Sequence, residues 1–299
     1  MVEIWSVILE LKPETFINFL VEAWTKVPEP QKYAVPLHSK ERQNLGPIFS
    51  SFSLKDCFEK YSWMGRNYFQ TDKLLNNLRG KLLTAIEAGD HLKAKEAAYE
   101  IYQWGGVRYK TRKGLNASGR WFEKAYEDKS LIAKLNESVD ILESGDLIEK
   151  FDGKNLIMNS GYTKVASLLS STACPLIIMD GRVGAALGDL VVMLAETEGY
   201  TSVHPQLLFP WGAERQMRNE TQPVIKRNPS STNLKFPRLF GAKKDFLHAK
   251  AMWFGSCLLR QVVLKLQDKG ESVEVNKLEA SLFMWGYDVI SRREGISDQ

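Results

Sequence analysis

A lysine and an aspartate, Lys164 and Asp180, lie sixteen residues apart in the largely apolar segment Met158–Leu190. A lysine amine can attack a sugar carbon as a nucleophile, and a carboxylate can stabilise the positive charge that develops there. The two residues are therefore the first candidates for catalysis, and the chemistry they fit is cleavage of a bond to a sugar. Both also fit structural roles, since an aspartate often begins a helix and a lysine in a first turn is often exposed or bound to phosphate.

The pattern around the pair predicts two apolar helices that carry both side chains at their starts. A turn at Asn159–Gly161 precedes a helix opened by Thr163 and Lys164, and the link through Cys174–Pro175 ends at Asp180, where the second helix begins. At a helix N-terminus the macrodipole stabilises a carboxylate, so we expect Asp180 to be ionised.

The rest of the chain predicts a mostly α protein, because apolar residues recur at helical spacing in many segments. These segments are Glu3–Leu11, Pro13–Val27, Asp72–Ala88, His91–Trp104, Trp121–Tyr126, Ser130–Glu143, Leu247–Gln267 and Val275–Val289. Strand patterns are confined to Ser202–His204 and Pro223–Ile225. The stretch Gly199–Phe246 contains five prolines and few periodic signals, which predicts an ordered, irregular surface loop.

The composition of the 299-residue chain is that of a globular protein, with 44% apolar and 25% charged residues. No apolar run reaches the ~20 residues that span a bilayer, and the N-terminus lacks the basic start of a secretory signal. We therefore expect a cytoplasmic protein with no membrane partner. Three separated cysteines and four histidines without ligand spacing predict no metal and no cofactor. Nucleotide-binding, zinc-protease and serine-hydrolase motifs are also missing from the sequence.

Positive charge is concentrated in two parts of the chain, although the net charge is only +4. Pro205–Lys250 holds nine lysines and arginines against three acids, and Arg108–Lys129 holds seven against three. Two basic islands on an otherwise neutral chain indicate a surface that faces a polyanion. Charges solvated in loops are the alternative explanation.

The segment Met158–Leu190 resembles the catalytic region of the helix-hairpin-helix (HhH-GPD) DNA glycosylase superfamily, which includes endonuclease-III-like and 8-oxoguanine glycosylases. In that family a hairpin precedes a helix that begins with the catalytic lysine, and the catalytic aspartate begins the next helix. Here Asn159–Tyr162 matches the hairpin, Lys164 the lysine, and Met179–Val183 the aspartate segment. The family hairpin usually holds two glycines, whereas this one holds Gly161 alone.

Four further segments are similar to a divergent branch with an 8-oxoguanine-glycosylase-like fold. They are Arg227–Ser230, Phe236–Leu239, His248–Ala249 and Leu278–Tyr287. Some members of that branch are associated with bacterial defence against phages that carry modified bases. The resemblance implies a two-lobed helical HhH-GPD-like fold with a long irregular basic insertion, and the iron–sulfur cysteine cluster of some members is missing here.

The resemblance also implies that double-stranded DNA is the partner and that one base is flipped into a pocket of the protein. The residues expected to hold that base are Tyr162, Trp104, Trp211, His248 and Trp253. The residues expected to contact the DNA are Arg182, Gly161, Arg108, Lys110, Arg112, Lys113, Arg215, Arg218, Lys226, Arg227, Asn228 and Arg238. Arg182 ranks first because it follows Asp180 by two residues. Core packing or solvated charge is the alternative role for each of these side chains.

The expected organisation is an N-terminal helical region, residues 1–104, and a glycosylase-like region, residues 105–299, that pack together. The latter contains the catalytic segment 158–190 and the basic loop 199–246. The expected enzyme is a DNA glycosylase that leaves an abasic site, with Asp180 stabilising the sugar cation and Lys164 acting as nucleophile or phosphate contact. Two alternatives stay open, which are an inactive DNA-binding or scaffold protein on the same fold and an RNA-directed binder.

Overall fold

The computed structural model describes residues 9–36, 39–213, 226–239 and 244–294, and these are mostly helical. The predicted helical class is therefore confirmed. The chain divides into two compact units. The first unit comprises Met1–Gly65, Gly181–Arg238 and Leu258–Gln299, and the second comprises Arg66–Asp180 and Leu239–Cys257. The predicted grouping of residues 1–104 and 105–299 into two regions that pack together stays a prediction.

The second unit is a group of helices with one short hairpin. Its elements are α4 (Tyr68–Glu87), α5 (His91–Trp104), β4 (Lys110–Thr111), β5 (Gly114–Leu115), α6 (Ala117–Glu127), α7 (Leu131–Ser144) and α8 (Tyr162–Leu169). The short helix α8 contacts α4, α5 and α7, and its residues Tyr162–Ala166 are buried. Burial of each large apolar side chain contributes roughly 1.5–3 kcal/mol, so α8 is held by packing and not by its own length.

The first unit is built around the apolar helix α9 (Gly181–Glu198), which is buried from Arg182 to Ala195. Its other elements are β1 (Glu10–Leu11), α1 (Pro13–Ala23), β2 (Gln31–Ala34), α2 (Arg42–Leu45), β3 (Ile48–Ser51), α3 (Leu54–Glu59), β6 (Ser202–Val203), α11 (Val275–Trp285) and α12 (Ile290–Glu294). Helix α9 contacts α1 and α11, and α11 also packs on α3. A helix that is apolar on all sides is expected to be central, as α9 is. Helix α10 (Lys244–Asp268) is divided between the two units after Cys257.

The predicted helix Glu3–Leu11 is wrong where the structure describes it. Residues 1–8 lie outside the described part, but Glu10–Leu11 is strand β1, which pairs in parallel with β6. Pro13 explains the break, because a residue that precedes proline is driven out of the helical region. Lys12 is accordingly extended, with ψ 156°, and α1 begins at Pro13.

The irregular segment after β6 is less exposed than the sequence predicts. Phe209, Trp211 and Phe236 are buried, and the segment contacts α9 at Gly188, where an added Cβ would lie 2.7 Å from Pro229 Cγ. A surface loop is therefore the wrong description for these stretches, because their aromatic side chains belong to the core of the first unit. The strand predicted at Ser202–His204 is confirmed as β6, and the candidate at residues 223–225 lies outside the described residues.

Candidate active site

Lys164 and Asp180 both belong to the second unit and lie next to each other. Lys164 Nζ is 3.9 Å from Asp180 Oδ2, and it donates a hydrogen bond to the backbone carbonyl of Ser160 at 2.7 Å. The lysine side chain is 6% exposed and the aspartate side chain 16%. The distance between amine and carboxylate fits an ion pair but is too long for a direct hydrogen bond. The two groups can therefore move apart without the loss of a hydrogen bond between them.

The turn before α8 places Lys164 through a single amide side chain. Asn159 Oδ1 accepts hydrogen bonds from the backbone N–H groups of Gly161 at 2.9 Å and Tyr162 at 3.2 Å. The Tyr102 hydroxyl donates to the same oxygen at 3.3 Å, and Asn159 Nδ2 donates to Ser118 Oγ at 3.1 Å. The amide thus links the start of α8 to α5 and α6, which fixes the backbone from which the lysine extends.

Gly161 is buried in this turn and packs against an aromatic ring. A Cβ added at this position would lie 2.5 Å from Tyr102 Cε1, so a glycine is needed for the close approach. The Gly161 N–H, predicted to bind DNA phosphate, donates to Asn159 Oδ1 in the structure. Its contact with phosphate stays a prediction.

The link that carries Asp180 is held from the other side by α10. Ser256 Oγ accepts from the backbone N–H of Ile177 at 3.0 Å, and His248 Nε2 is hydrogen bonded to the carbonyl of Met179. Because a carbonyl can only accept, Nε2 of His248 carries the proton. Burial lowers the pKa of His248 to about 4, so the imidazole is neutral near neutral pH. Asp180 then ends the link, immediately before α9.

The lysine amine is buried at the start of α8 and lies beside the Asp180 carboxylate. A neutral amine is a nucleophile, and a carboxylate at this distance can stabilise a cation that forms between the two. The arrangement therefore places a potential nucleophile beside a carboxylate that can stabilise a positive charge.

The predicted base-pocket residues lie in different surroundings. Tyr162 is fully buried in the second unit, where its hydroxyl is 2.8 Å from Ser138 Oγ and its ring meets Trp121 edge-on. Trp104 ends α5 and is partly exposed, directly before Gly105. Trp253 is also partly exposed, and its indole covers Gly145, where an added Cβ would lie 2.3 Å from Nε1.

Trp211 belongs to the first unit and is buried there. Its Nε1 donates to the carbonyl of Phe236 at 3.3 Å, and the Arg238 guanidinium lies 5.0 Å from its ring. His248 supports the link at Met179, as described above. Tyr162, Trp104, Trp253 and His248 thus share the unit of the Lys164–Asp180 pair, and a base-binding role for any of them stays a prediction.

Arg182 lies among aromatic rings in the first unit. Its guanidinium carbon is 4.3 Å from the ring centre of Phe283, 4.7 Å from that of Tyr287 and 5.3 Å from that of Trp63. The residue is 9% exposed. Cation–π contacts on several sides make Arg182 part of the packing of the first unit. Its predicted contact with DNA stays a prediction.

The other predicted DNA contacts of the first unit are partly engaged within the protein. Lys226 Nζ lies 3.5 Å from Asp288 Oδ2, and Arg227 Nε donates to the Tyr287 carbonyl at 3.4 Å. Asn228 Oδ1 accepts from the Ser230 N–H at 3.1 Å. Arg238 is exposed, while Arg215 and Arg218 lie outside the described residues.

In the second unit, by contrast, the predicted contacts Arg108, Lys110, Arg112 and Lys113 are all exposed. They lie on or beside the β4–β5 hairpin. Its two strands are antiparallel, with Lys110 opposite Leu115 and Thr111 opposite Gly114. The sequence predicted this cluster by charge alone and did not predict the hairpin.

Two contributors to the site were missed by sequence reasoning. Gly105 packs on the methylenes of Lys164, and the Ser160 carbonyl accepts from the lysine amine. The double glycine at Gly105–Gly106 is a local signal for the end of a helix, but the packing of Gly105 on a distant lysine has no local signal in the sequence. Every residue has a backbone carbonyl whatever its side chain, so the sequence could not have identified Ser160 as the acceptor for the lysine amine.

Among the described residues, no group of three or more His, Cys, Asp or Glu side chains is arranged to hold a metal ion. Within the same part of the chain, no helix has the length and apolar character needed to cross a bilayer. Comparison with protein-family models, with curated proteins and with solved structures found no match to this chain.

Proposed function

We propose that this protein is a DNA glycosylase of the helix-hairpin-helix type, which cleaves the bond between a modified base and its deoxyribose and leaves an abasic site. The observation that carries the proposal is the Lys164–Asp180 pair, buried and 3.9 Å apart in one unit. The order of α8, a link and an aspartate directly before α9 supports it, because the resembled family has that order.

In the proposed reaction the bond between C1′ and the base nitrogen breaks, and the base leaves with the bonding electrons. Asp180 stabilises the cation that develops on the sugar. Either water or the Lys164 amine then forms the new bond at C1′. The nucleophile loses a proton and the departing base gains one. Water gives the abasic sugar directly, whereas the amine gives a Schiff base when the C1′–O4′ bond of the sugar ring breaks, and water later hydrolyses that Schiff base.

The excision itself is tested with duplexes that each carry one modified base, including hypermodified cytosines of the kind found in phage DNA. We expect base release by the wild-type protein and a loss of about 100-fold or more in Asp180→Asn, as for removal of a group that stabilises the transition state. Asp140→Asn is the matched control, because Asp140 is exposed on α7 in the same unit. Equal rates in the Asp180 and Asp140 variants would remove Asp180 from the mechanism.

The role of Lys164 is tested by borohydride reduction during the reaction. Reduction traps a Schiff base as a covalent protein–DNA adduct, which denaturing electrophoresis detects. We expect the adduct in the wild-type protein and its absence in Lys164→Ala. Base release without any adduct assigns the attack to water, and an adduct that persists in Lys164→Ala excludes Lys164 as the amine.

A second candidate function is a DNA-binding or scaffold protein that kept the arrangement and lost the reaction. The hydrogen bond from Lys164 to the Ser160 carbonyl favours this candidate, because a buried ion pair whose lysine also binds the backbone can have a purely structural role. Duplex binding that is equal in the wild type and Asp180→Asn, with no base released, would select this function. Preference for structured RNA over duplex DNA in competition would select an RNA-directed binder.

A further inference from the structure

The basic hairpin is a compact, strongly charged feature of the second unit. We define it as Arg108–Asn116, which contains β4, β5 and the two-residue turn Arg112–Lys113. Its four cationic side chains, Arg108, Lys110, Arg112 and Lys113, are exposed, and no acidic residue occurs from Arg108 to Phe122. Such a one-sign surface creates a positive field that is not neutralised within its own segment.

The base of the hairpin is held rigidly by aromatic stacking and hydrogen bonds. The Tyr109 ring stacks on Tyr99 of α5 with centroids 3.8 Å apart and an interplanar angle of 3°. Asn116 N–H donates to the Tyr109 carbonyl at 2.9 Å, and Arg120 Nη1 donates to the Leu115 carbonyl at 2.7 Å. A hairpin anchored in this way presents its charges with little loss of entropy on binding.

Both ends of the hairpin adjoin the segment that carries Lys164. Before it, Gly105 packs on the side chain of Lys164, three residues ahead of Arg108. After it, Ser118 Oγ accepts a hydrogen bond from Asn159, the residue that organises the start of α8. The cationic side chains of the hairpin are therefore joined, within a few residues on either side, to the residues that position the Lys164 amine.

We propose that the basic hairpin docks on the phosphate backbone of duplex DNA beside the nucleotide that reaches Lys164 and Asp180. This inference rests on the proposed glycosylase function and deepens it by naming the element that binds the substrate backbone. A polyanion fits the hairpin because its exposed side chains are cationic, whereas its one large aliphatic side chain, Leu115, is only partly exposed. Contacts of this kind set the position of the protein on the duplex and carry no base specificity.

The test uses the full-length protein with Asp180→Asn, so that the substrate stays intact, and a fluorescent duplex with one modified base. Arg112→Glu combined with Lys113→Glu reverses both charges of the turn. The matched control combines Lys73→Glu with Lys93→Glu, two exposed lysines of α4 and α5 in the same unit. Affinity is measured from 50 to 200 mM salt, and thermal unfolding of each variant confirms that it is folded.

Loss of two phosphate contacts lowers the slope of log K against log salt by about 1.8, since each contact contributes about 0.9. Over the fourfold salt range this reduces the salt-induced loss of affinity by about tenfold. At 50 mM salt the hairpin variant should bind at least about tenfold more weakly than the control variant. Arg112→Gln combined with Lys113→Gln should fall between the wild type and the charge reversal.

An unchanged slope and affinity in a folded hairpin variant overturns the docking proposal, whatever the outcome of the base-release assay. Hairpin-dependent binding to structured RNA, with duplex DNA bound equally by both variants, overturns it as well. Hairpin-dependent duplex binding without release of any base supports docking and defeats the glycosylase function. The two proposals can therefore fail separately.

Discussion

Gly105 lies directly against the side chain of Lys164, so that a Cβ added at residue 105 would be 2.4 Å from both Cδ and Cε of the lysine. Real Cβ atoms do not approach so closely, and a larger residue at this position would force the lysine to move. Lys164 is 5% exposed and its amine is hydrogen bonded to the Ser160 carbonyl. A displacement of the lysine methylenes would therefore also move the amine. Gly105 is thus a positioning residue for Lys164.

Gly105→Ala should displace the Lys164 amine without breaking the local backbone. Gly105 has φ −71° and ψ 3°, which alanine adopts without strain, so the methyl group is the cause of any effect. We expect about 1–3 kcal/mol of destabilisation from overpacking, together with at least a tenfold loss of borohydride-trapped adduct.

Gly80→Ala is the matched control, because nothing lies within 4 Å of a Cβ added there and α4 should gain stability by about 0.5–1 kcal/mol. Urea unfolding and adduct formation are measured for both variants. Wild-type adduct formation in Gly105→Ala would show that the lysine position is not critical.

The helices that could be predicted from the sequence have strong local signals at their ends. The predicted helix His91–Trp104 has the bounds of α5, and in the structure the Asp90 side chain caps its start and Gly105 follows its end. Gly145 follows α7 in the left-handed conformation with φ 82°, which is where glycine commonly ends a helix. Local chemistry decides where such helices begin and end, and it is fully visible in the sequence.

The parts that could not be predicted depend on contacts between distant residues. Strands β2 and β3 have four residues each, are antiparallel, and are connected through the short helix α2. No alternating pattern in the sequence predicts this pairing. The rings around Arg182 come from Trp63, Phe283 and Tyr287, which are distant from it in the sequence, so this packing could not be predicted from the spacing to Asp180. Sequence spacing predicted that Lys164 and Asp180 begin successive helices, whereas their distance depends on how α8 and the link pack.

Tyr162→Phe separates a structural role of this tyrosine from the base-binding role predicted for it. Ser138 Oγ donates to the Leu135 carbonyl at 2.7 Å, so the Tyr162 hydroxyl is the donor in the 2.8 Å bond between the two side chains. We expect Tyr162→Phe to lower the free energy of unfolding by about 1–2 kcal/mol and to leave duplex affinity unchanged.

Ser138→Ala and the double variant complete a thermodynamic cycle for this hydrogen bond. Urea unfolding gives the coupling energy, which we expect to be about 1 kcal/mol. A tenfold loss of affinity in a stable Tyr162→Phe protein would instead assign the hydroxyl to DNA binding.

Asp189→Ala should be among the most destabilising substitutions of a charged residue in the first unit. Its carboxylate is fully buried and accepts from Arg292 and Arg293 at 2.8 Å and from Trp285 Nε1 at 2.9 Å. Removal leaves two cations without their buried counter-charge, which costs about 3–5 kcal/mol. Chemical denaturation measures the loss.

Glu100→Ala is the control for this substitution, because Glu100 pairs with Lys81 at a similar distance, 2.7 Å, on the surface of the second unit. Side chains that are about half exposed contribute less than about 1 kcal/mol. Similar losses in the two variants would show that burial does not set the strength of the Asp189 cluster.

His248 should make the protein less stable as the pH falls below neutral. Burial lowers its pKa in the folded protein to about 4, against 6.5 in the unfolded chain. Between these values the unfolded chain binds a proton that the folded protein does not, so stability decreases with falling pH by up to about 1.4 kcal/mol per unit and about 3 kcal/mol in all.

His248→Gln removes this titration while its amide can still donate to the Met179 carbonyl. The difference in unfolding free energy between wild type and variant should therefore be constant above pH 7. It should shift in favour of the variant by about 1 kcal/mol per pH unit from pH 6.5 to 4.5, as urea unfolding can measure. If the unfolding free energies of wild type and His248→Gln change with pH in parallel, His248 takes up its proton equally in the folded and unfolded states. The assignment of a neutral His248 that donates to the Met179 carbonyl would then be wrong.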